Sequence, residues 1–344
     1  MISKATNRII TQIVAPDGKV VSKKTYPFRS FLRNYEKLLF NCFSGGNVTI
    51  IYRNGSTQSF STANTHHLQG NAGNDGKGIL VGASAQAVDF DDINLAEMIP
   101  HGDLHYSLTT KYLALPADGG GTNSTSRSFW NVTESPITVR ECALAGNPVT
   151  GLSDSRMGPI FCRDIIDETI PPDYKLYIRY ELSYQVDPCT RNHAWWMAMF
   201  IDTTSNYNFI NISGSSRSKS GHNNWFKTYN NTLQGVFAGA STEPFSNTHN
   251  ALQGPISTSD LVRVGANIPN YYEVGNMGGA KISRIFENVT EEPITVNEIA
   301  LYVGDRFSTV ADVGMVMRHV FSEGVTIAPG AFHEFGFNVT VEKP

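Results

Sequence analysis

Arg127–Leu144 reads RSFWNVTESPITVRECAL, and Arg284–Leu301 reads RIFENVTEEPITVNEIAL. Thirteen of the eighteen positions are identical without a gap, at an offset of 284 − 127 = 157 residues. The same offset carries Gly78–Ser84 (GILVGAS) onto Gly235–Ser241 (GVFAGAS), Leu95 onto Leu252, Ile99 onto Ile256 and Pro172 onto Pro329. One residue out of step, Arg33-Asn34 matches Arg191-Asn192, each pair opening an apolar stretch. Duplication accounts for the pattern. The period is far above the roughly 20–50 residues of a solenoid repeat, so each copy should close a core of its own. The expected division is 1–187 and 188–344, with no Gly/Ser-rich or Pro-rich linker between. The join, 174–186 (YKLYIRYELSYQV), alternates like one long strand that could end the first copy and begin the second.

Within the first copy, alternation and turn residues predict strands at Asn7–Val14 and Lys19–Tyr26 around a turn at Asp17-Gly18. Further strands are expected at Val48–Tyr52, Ile79–Val81, His105–Leu113, Ser126–Val132, Ile137–Leu144, Ile160–Ile166 and Tyr174–Val186. One helix is expected at Phe28–Phe43, where Phe31, Leu32, Tyr35, Leu38, Leu39 and Cys42 recur at helical spacing. Its counterpart is Asn192–Phe200, with Trp195, Trp196, Met197 and Met199. Short strands with one helix per copy predict a mainly β chain: two tandem antiparallel β-sandwich or jelly-roll-like domains.

Composition bounds the partners. Charged residues make up 17% of the 344-residue chain and the formal charge is −4, which gives no basic field for nucleic acid. The first residues, MISKATNRIITQIV, hold no apolar signal-peptide core, and no window approaches 18 apolar residues, so no membrane span is expected. Cys42, Cys142, Cys162 and Cys189 lie far apart with no C-x-x-C pair and read as free thiols. Sequons such as Asn131-Val132-Thr133 read as chance products of an Asn- and Thr-rich chain.

Alternation on Ile137–Leu144 places Glu141 on a face with Ile137, Val139 and Ala143, and the second copy repeats this with Glu298 beside Ile294, Val296 and Ala300. A carboxylate on an apolar face needs a partner, because burying it alone is very unfavourable. Each copy offers one, Arg163 in IFCRDII and Arg318 in VMRHVF. Two outcomes stay open: structural ion pairs Glu141–Arg163 and Glu298–Arg318, or a β-bulge that turns each glutamate to solvent.

Candidate chemistry is thin. His66-His67 are neighbours in a polar loop, His101 and His105 bracket a Gly-Asp turn, and His193 and His249 have no Cys or carboxylate cluster in sequence. Asp89, Asp91 and Asp92 could suggest Ca²⁺, yet the matching stretch of the second copy, FSNTHNAL, holds no acid, and a solvated loop is the better reading. No nucleophile elbow, P-loop or dinucleotide fingerprint is present, so no catalytic, cofactor-binding or metal residue is assigned. The copies share turn-makers and core positions, whereas their polar loops differ. His193–Phe200 (HAWWMAMF) reads as a helix's core face or as a docking patch. Trp225 and Phe226 read as aromatics tucked against their own domain or as a partner or carbohydrate contact.

The motifs resemble a group of tailed-bacteriophage virion proteins. They are Phe31–Asn34, the G-x-x-V-G segment Gly78–Gly82, Leu95 with Ile99, F-x-N-x-T-x-x-P-I-T-V-x-E-x-A-L at Phe129–Leu144, and the closing turn Val325–Gly330. Copy one departs at Pro172-Asp173, where glycine is expected, which predicts a different last turn. The resemblance implies a non-enzymatic virion component without cofactor, made in the host cytoplasm. It would assemble with copies of itself and other virion proteins as a symmetric ring or oligomer in the neck, tail or baseplate. Capsid decoration, or a receptor- or glycan-binding module that meets host-surface glycan, are the alternatives.

Overall fold

The alternating runs pair into antiparallel sheets, and the chain is mainly β. The computed structural model describes residues 4–28, 30–37, 48–60, 68, 70–114, 121–146, 157–185, 206–220, 234–246, 248–274, 277–304 and 313–342. In the first copy the strands are β1 (Lys4–Val14), β2 (Val20–Pro27), β3 (Val48–Ile51), β4 (Thr57–Phe60), β5 (Gly78–Gly82), β6 (Leu104–Tyr106) and β7 (Thr110–Ala114). β8 (Gly121–Asn131), β9 (Ile137–Ala145), β10 (Ile160–Ile170) and β11 (Lys175–Gln185) follow. In the second they are β12 (Asn206–Ile210), β13 (Ser216–Ser220), β14 (Gly235–Gly239), β15 (Leu261–Val274), β16 (Met277–Asn288), β17 (Ile294–Gly304), β18 (Val313–Ile327) and β19 (Phe332–Glu342).

The large first-copy sheet has the order β2-β1-β11-β8-β6, with β7 also on β8; the small one is β10-β9-β5. The second copy repeats the small sheet as β14-β17-β18 and, among the described residues, β15-β16-β19 of the large one. The hairpins β3-β4 and β12-β13 also correspond, each turning on a glycine at positive φ, Gly55 (+79°) and Gly214 (+81°). No sheet mixes strands of 1–187 with strands of 188–344 among the described residues. β11 does not bridge the copies: its two edges are taken by β1 and β8, both of the first copy.

Between the two first-copy sheets lie Ile9, Phe129, Leu176 and Ile178 from the large one and Ile79, Cys142 and Cys162 from the small one, all fully buried or nearly so. Tyr180 of β11 donates its hydroxyl to Cys142 Sγ of β9 at 3.0 Å across that gap. Burial pushes the Tyr180 hydroxyl and the Cys142 and Cys162 thiols well above their ordinary pKa values. Cys142 and Cys162 are free thiols; Cys42 and Cys189 lie outside the described residues.

Three local expectations need correction. The helix starts late: its described part is residues 33–37. The preceding backbone is already engaged, Phe28 N–H with Asn7 O, Leu32 N–H with Phe161 O and Arg33 N–H with Phe90 O. The second copy's helix, Asn192–Phe200, lies outside the described residues. The strand expected at His105–Leu113 breaks into β6 and β7, because Ser107 O is taken by Arg127 and the Thr109 N–H by Gly70 O. Finally, the turn at Pro172-Asp173 does not differ from its glycine counterpart. Asp173 adopts φ +66° and Gly330 φ +67°, and Asp173 is the one non-glycine residue at positive φ among the described residues.

Candidate functional site

The repeat's acid and base meet in both copies. On β9 and β10, Ala143 pairs with Arg163 and Ile165 with Glu141, so the glutamate and arginine are diagonal neighbours on one face. Arg163 donates Nε–H to Glu141 Oε2 at 2.7 Å. On β17 and β18 the register is the same, Ala300 with Arg318 and Val320 with Glu298, and Arg318 donates Nε–H to Glu298 Oε2 at 2.5 Å. All four side chains are shut off from solvent, with 0–1% exposed. A register shift sits beside each glutamate, between Ile165 and Glu168 on β10 and between Val296 and Glu298 on β17. Neither irregularity turns the carboxylate outward.

Because Cys142 faces the large sheet, Glu141 points the opposite way, to the outer face of the small sheet. The segment 83–99 lies over it. Glu141 accepts the backbone N–H groups of Ala96 (3.1 Å) and Glu97 (2.8 Å). Arg163 donates to the carbonyls of Gln86 (3.0 Å) and Ala87 (3.2 Å) and to Asp92 Oδ2 (2.7 Å). The pair is thus a clip that fastens a loop over a sheet. Burial alone would lower the Arg163 pKa, but the Glu141 and Asp92 carboxylates outweigh it and hold the guanidinium charged. Asp92 is accordingly not a solvated loop acid: its side chain is 19% exposed and belongs to the clip. Of its neighbours, Asp91 pairs with Arg33 through Nη2 at 3.1 Å.

The second copy builds the same clip with one exchange. Arg318 donates to the carbonyls of Glu243 (3.0 Å) and Pro244 (3.4 Å), the positions 157 after Gln86 and Ala87. Glu298 accepts the Gly254 N–H at 2.7 Å. Where Asp92 stands in the first copy, the second has His249, whose Nδ1 lies 2.9 Å from Arg318 Nη1. That nitrogen also accepts the Ser246 N–H at 3.3 Å, which favours the tautomer carrying its proton on Nε2, towards Glu243 at 3.3 Å.

Sequence reasoning overlooked the glycine opposite each glutamate. A Cβ on Gly239 would sit 2.4 Å from Glu298 Oε1, and one on Gly82 would sit 2.3 Å from Glu141 Oε1 and 2.5 Å from Glu97 O. These glycines make the hollow that the carboxylate fills. Their presence in both GILVGAS and GVFAGAS was the available signal.

A second shared bracket sits in the N-V-T segment. Asn131 Nδ2 donates to Ser135 O (2.8 Å) and Ile170 O (2.9 Å), while its Oδ1 accepts from the Thr133 N–H (3.0 Å) and hydroxyl (2.7 Å). Asn288 repeats all four bonds with Glu292, Ile327 and Thr290. The sequon is therefore no product of chance: its buried asparagine locks the β8–β9 turn to the end of β10, as Asn288 locks β16–β17 to β18. Arg127, buried under segment 70–79, donates to five backbone carbonyls, those of Ser107, Lys77, Ile79, Asn71 and Asn74. Its guanidinium also lies 4.7 Å from the Tyr106 ring centre.

Of the remaining candidates, the His101 and His105 rings lie 5.1 Å apart, and His105 stands edge-on to Trp130 at 5.8 Å. His66, His67, His193, Trp225, Phe226 and the HAWWMAMF stretch fall outside the described residues. Among the described residues no three His, Cys, Asp or Glu side chains converge as a metal set, and no helix is long and apolar enough to cross a membrane. No family model, curated protein or solved structure matches the chain.

Proposed function

We propose that the chain is a non-enzymatic structural component of a bacteriophage virion. In this reading it is two tandem antiparallel β-sandwich domains, each with one helix. It assembles with copies of itself and other virion proteins in the neck, tail or baseplate. One observation carries the reading. Of the polar groups that the copies hold in common, Glu141 with Arg163, Glu298 with Arg318, Asn131 and Asn288 are buried and engaged with their own fold, and Glu134 and Glu291 stand exposed in the turn. An acid meant for catalysis must reach substrate; the buried acids reach loop amides. Both copies keep the fastening of loops to sheets, the property an assembled tile needs and a flexible recognition loop does not.

The test is location. Antibody raised against the purified chain, applied to intact particles from a culture that produces it, should label one fixed position at a stoichiometry set by particle symmetry. Particles free of the chain, with all of it recovered from the non-particle fraction, refute the reading.

A further inference from the structure

The two copies differ most at one sheet edge. In the first copy β11 is covered along its full length by β1, from Lys4 opposite Gln185 to Val14 opposite Lys175. Its counterpart β19 has β16 on one side and no strand on the other among the described residues. The cause lies in the duplication. The residues 157 after β1 and β2 are 161–171 and 177–184, which already form β10 and β11 of the first copy. Among the described residues the chain therefore carries two acceptor edges, β11 and β19, and one N-terminal hairpin. Exposure follows suit: Leu176 and Tyr180 are buried on β11, whereas at the matching positions of β19 His333 is exposed and Phe337 only half-buried. Phe332 is 59% exposed, and Ile285 beside it on β16 is 43% exposed.

We infer that β19 is a docking edge for a second copy of this chain, pairing antiparallel with the partner copy's β19 about a two-fold axis near Gly336 and Phe337. Three observations select this occupant. A hairpin borrowed from another copy fills β19 only by stripping β11, so exchange leaves the number of open edges unchanged. The outer edge of the first copy's large sheet, β2, is blunted by Lys23, Lys24 and Pro27, and Lys24 is tied to Glu168 at 3.3 Å; β19 has neither lysine nor proline. The sequence FHEFGFNVTVE is also self-compatible. With the axis at Gly336 or at Phe337, no residue faces a like charge directly, and both partners' Phe335 and Phe337 fall on the core side. A two-fold contact of this kind closes on itself as a dimer. The inference stands on sheet geometry alone and is independent of the virion reading.

Asn338 is exposed on the solvent face, directly opposite Lys281 of β16, which pairs with Glu334 at 2.9 Å. In the paired edge it lies opposite or diagonal to the partner copy's Glu334. Sedimentation equilibrium of the full chain should show a dimer at micromolar concentration. Asn338→Asp sets carboxylate against carboxylate twice across the axis and should raise the dimer Kd about tenfold. Asn338→Gln, which adds no charge opposite Lys281, should leave it unchanged. Hydrogen exchange should show β19 amides protected at high protein concentration and exposed on dilution. A monomer at every concentration up to about 200 µM overturns the inference. So does a dimer whose Kd ignores the charge at 338, or one that both substitutions weaken alike.

Discussion

Removing Glu298 should harm the second copy more than removing Glu141 harms the first. In Glu298→Ala, Arg318 keeps two carbonyls and the His249 nitrogen but, among the described residues, no carboxylate. Stripping one partner from a buried pair costs about 3–5 kcal/mol, because the remaining charge is stranded away from water. In Glu141→Ala, Arg163 still holds Asp92 at 2.7 Å. That second carboxylate should retain about half of the compensation, leaving a loss of about 2 kcal/mol. The gap of roughly 2 kcal/mol is about thirty-fold in a local opening constant. Hydrogen-exchange mass spectrometry reads it directly, comparing peptides of β9–β10 with peptides of β17–β18, and it needs no assumption that the whole chain unfolds in one step. Adding His249→Asp to Glu298→Ala rebuilds the first copy's second carboxylate and should recover about 1–2 kcal/mol. Equal losses in the two copies, or no recovery from His249→Asp, would refute the claim that charge compensation, and not packing, holds the clip.

Other outcomes follow from the same geometry. Gly239→Ala should destabilise β14–β17 by about 1–3 kcal/mol through overpacking, and the penalty should shrink in a Glu298→Ala background, where the colliding atoms are gone. Gly82→Ala should resist that rescue, because its Cβ also meets the backbone carbonyl of Glu97; urea midpoints of the double mutants decide the point. Asp173→Gly should be neutral or stabilising by up to about 1 kcal/mol, whereas Asp173→Val should destabilise by more than that, since a β-branched residue resists positive φ. Thermal melts of the pair measure the difference. Cys142, Cys162 and Tyr180 all have pKa values raised by burial, so the folded state keeps them neutral while the unfolded chain ionises. Their contribution is whole below the unfolded thiol value near 9 and is lost as pH rises beyond it, at up to about 1.4 kcal/mol per pH unit for each group. Urea titrations at pH 8 and pH 10 should show that fall, and Cys142→Ala should make it shallower.

The duplication and most strands were legible because period-two alternation and turn residues are local signals. The acid–base couple was legible for a related reason: alternation puts Glu141 on an apolar face, and solvation energy then demands a cation. What covers that couple was hidden. Asp92 reads as a loop acid until the fold brings it to an arginine 71 residues away. Gly82 reads as a strand glycine until a glutamate side chain is seen lying across it. Asn131 sits in a triplet that is common in an Asn- and Thr-rich chain, and only the burial of its amide distinguishes a bracket from a coincidence. The break between β6 and β7 was hidden too, since it is imposed from outside by the Arg127 guanidinium.

The clip also sets an order of assembly. Arg163 meets Glu141 across 22 residues but Gln86 across 77, and Arg318 meets Glu298 across 20 but Glu243 across 75. Short closures lose less chain entropy than long ones. Closure entropy therefore favours each hairpin forming, with its charges still hydrated, before the covering segment is laid down. The same order run backwards predicts that limited proteolysis cuts residues 83–99 and 248–256 before any strand beneath them.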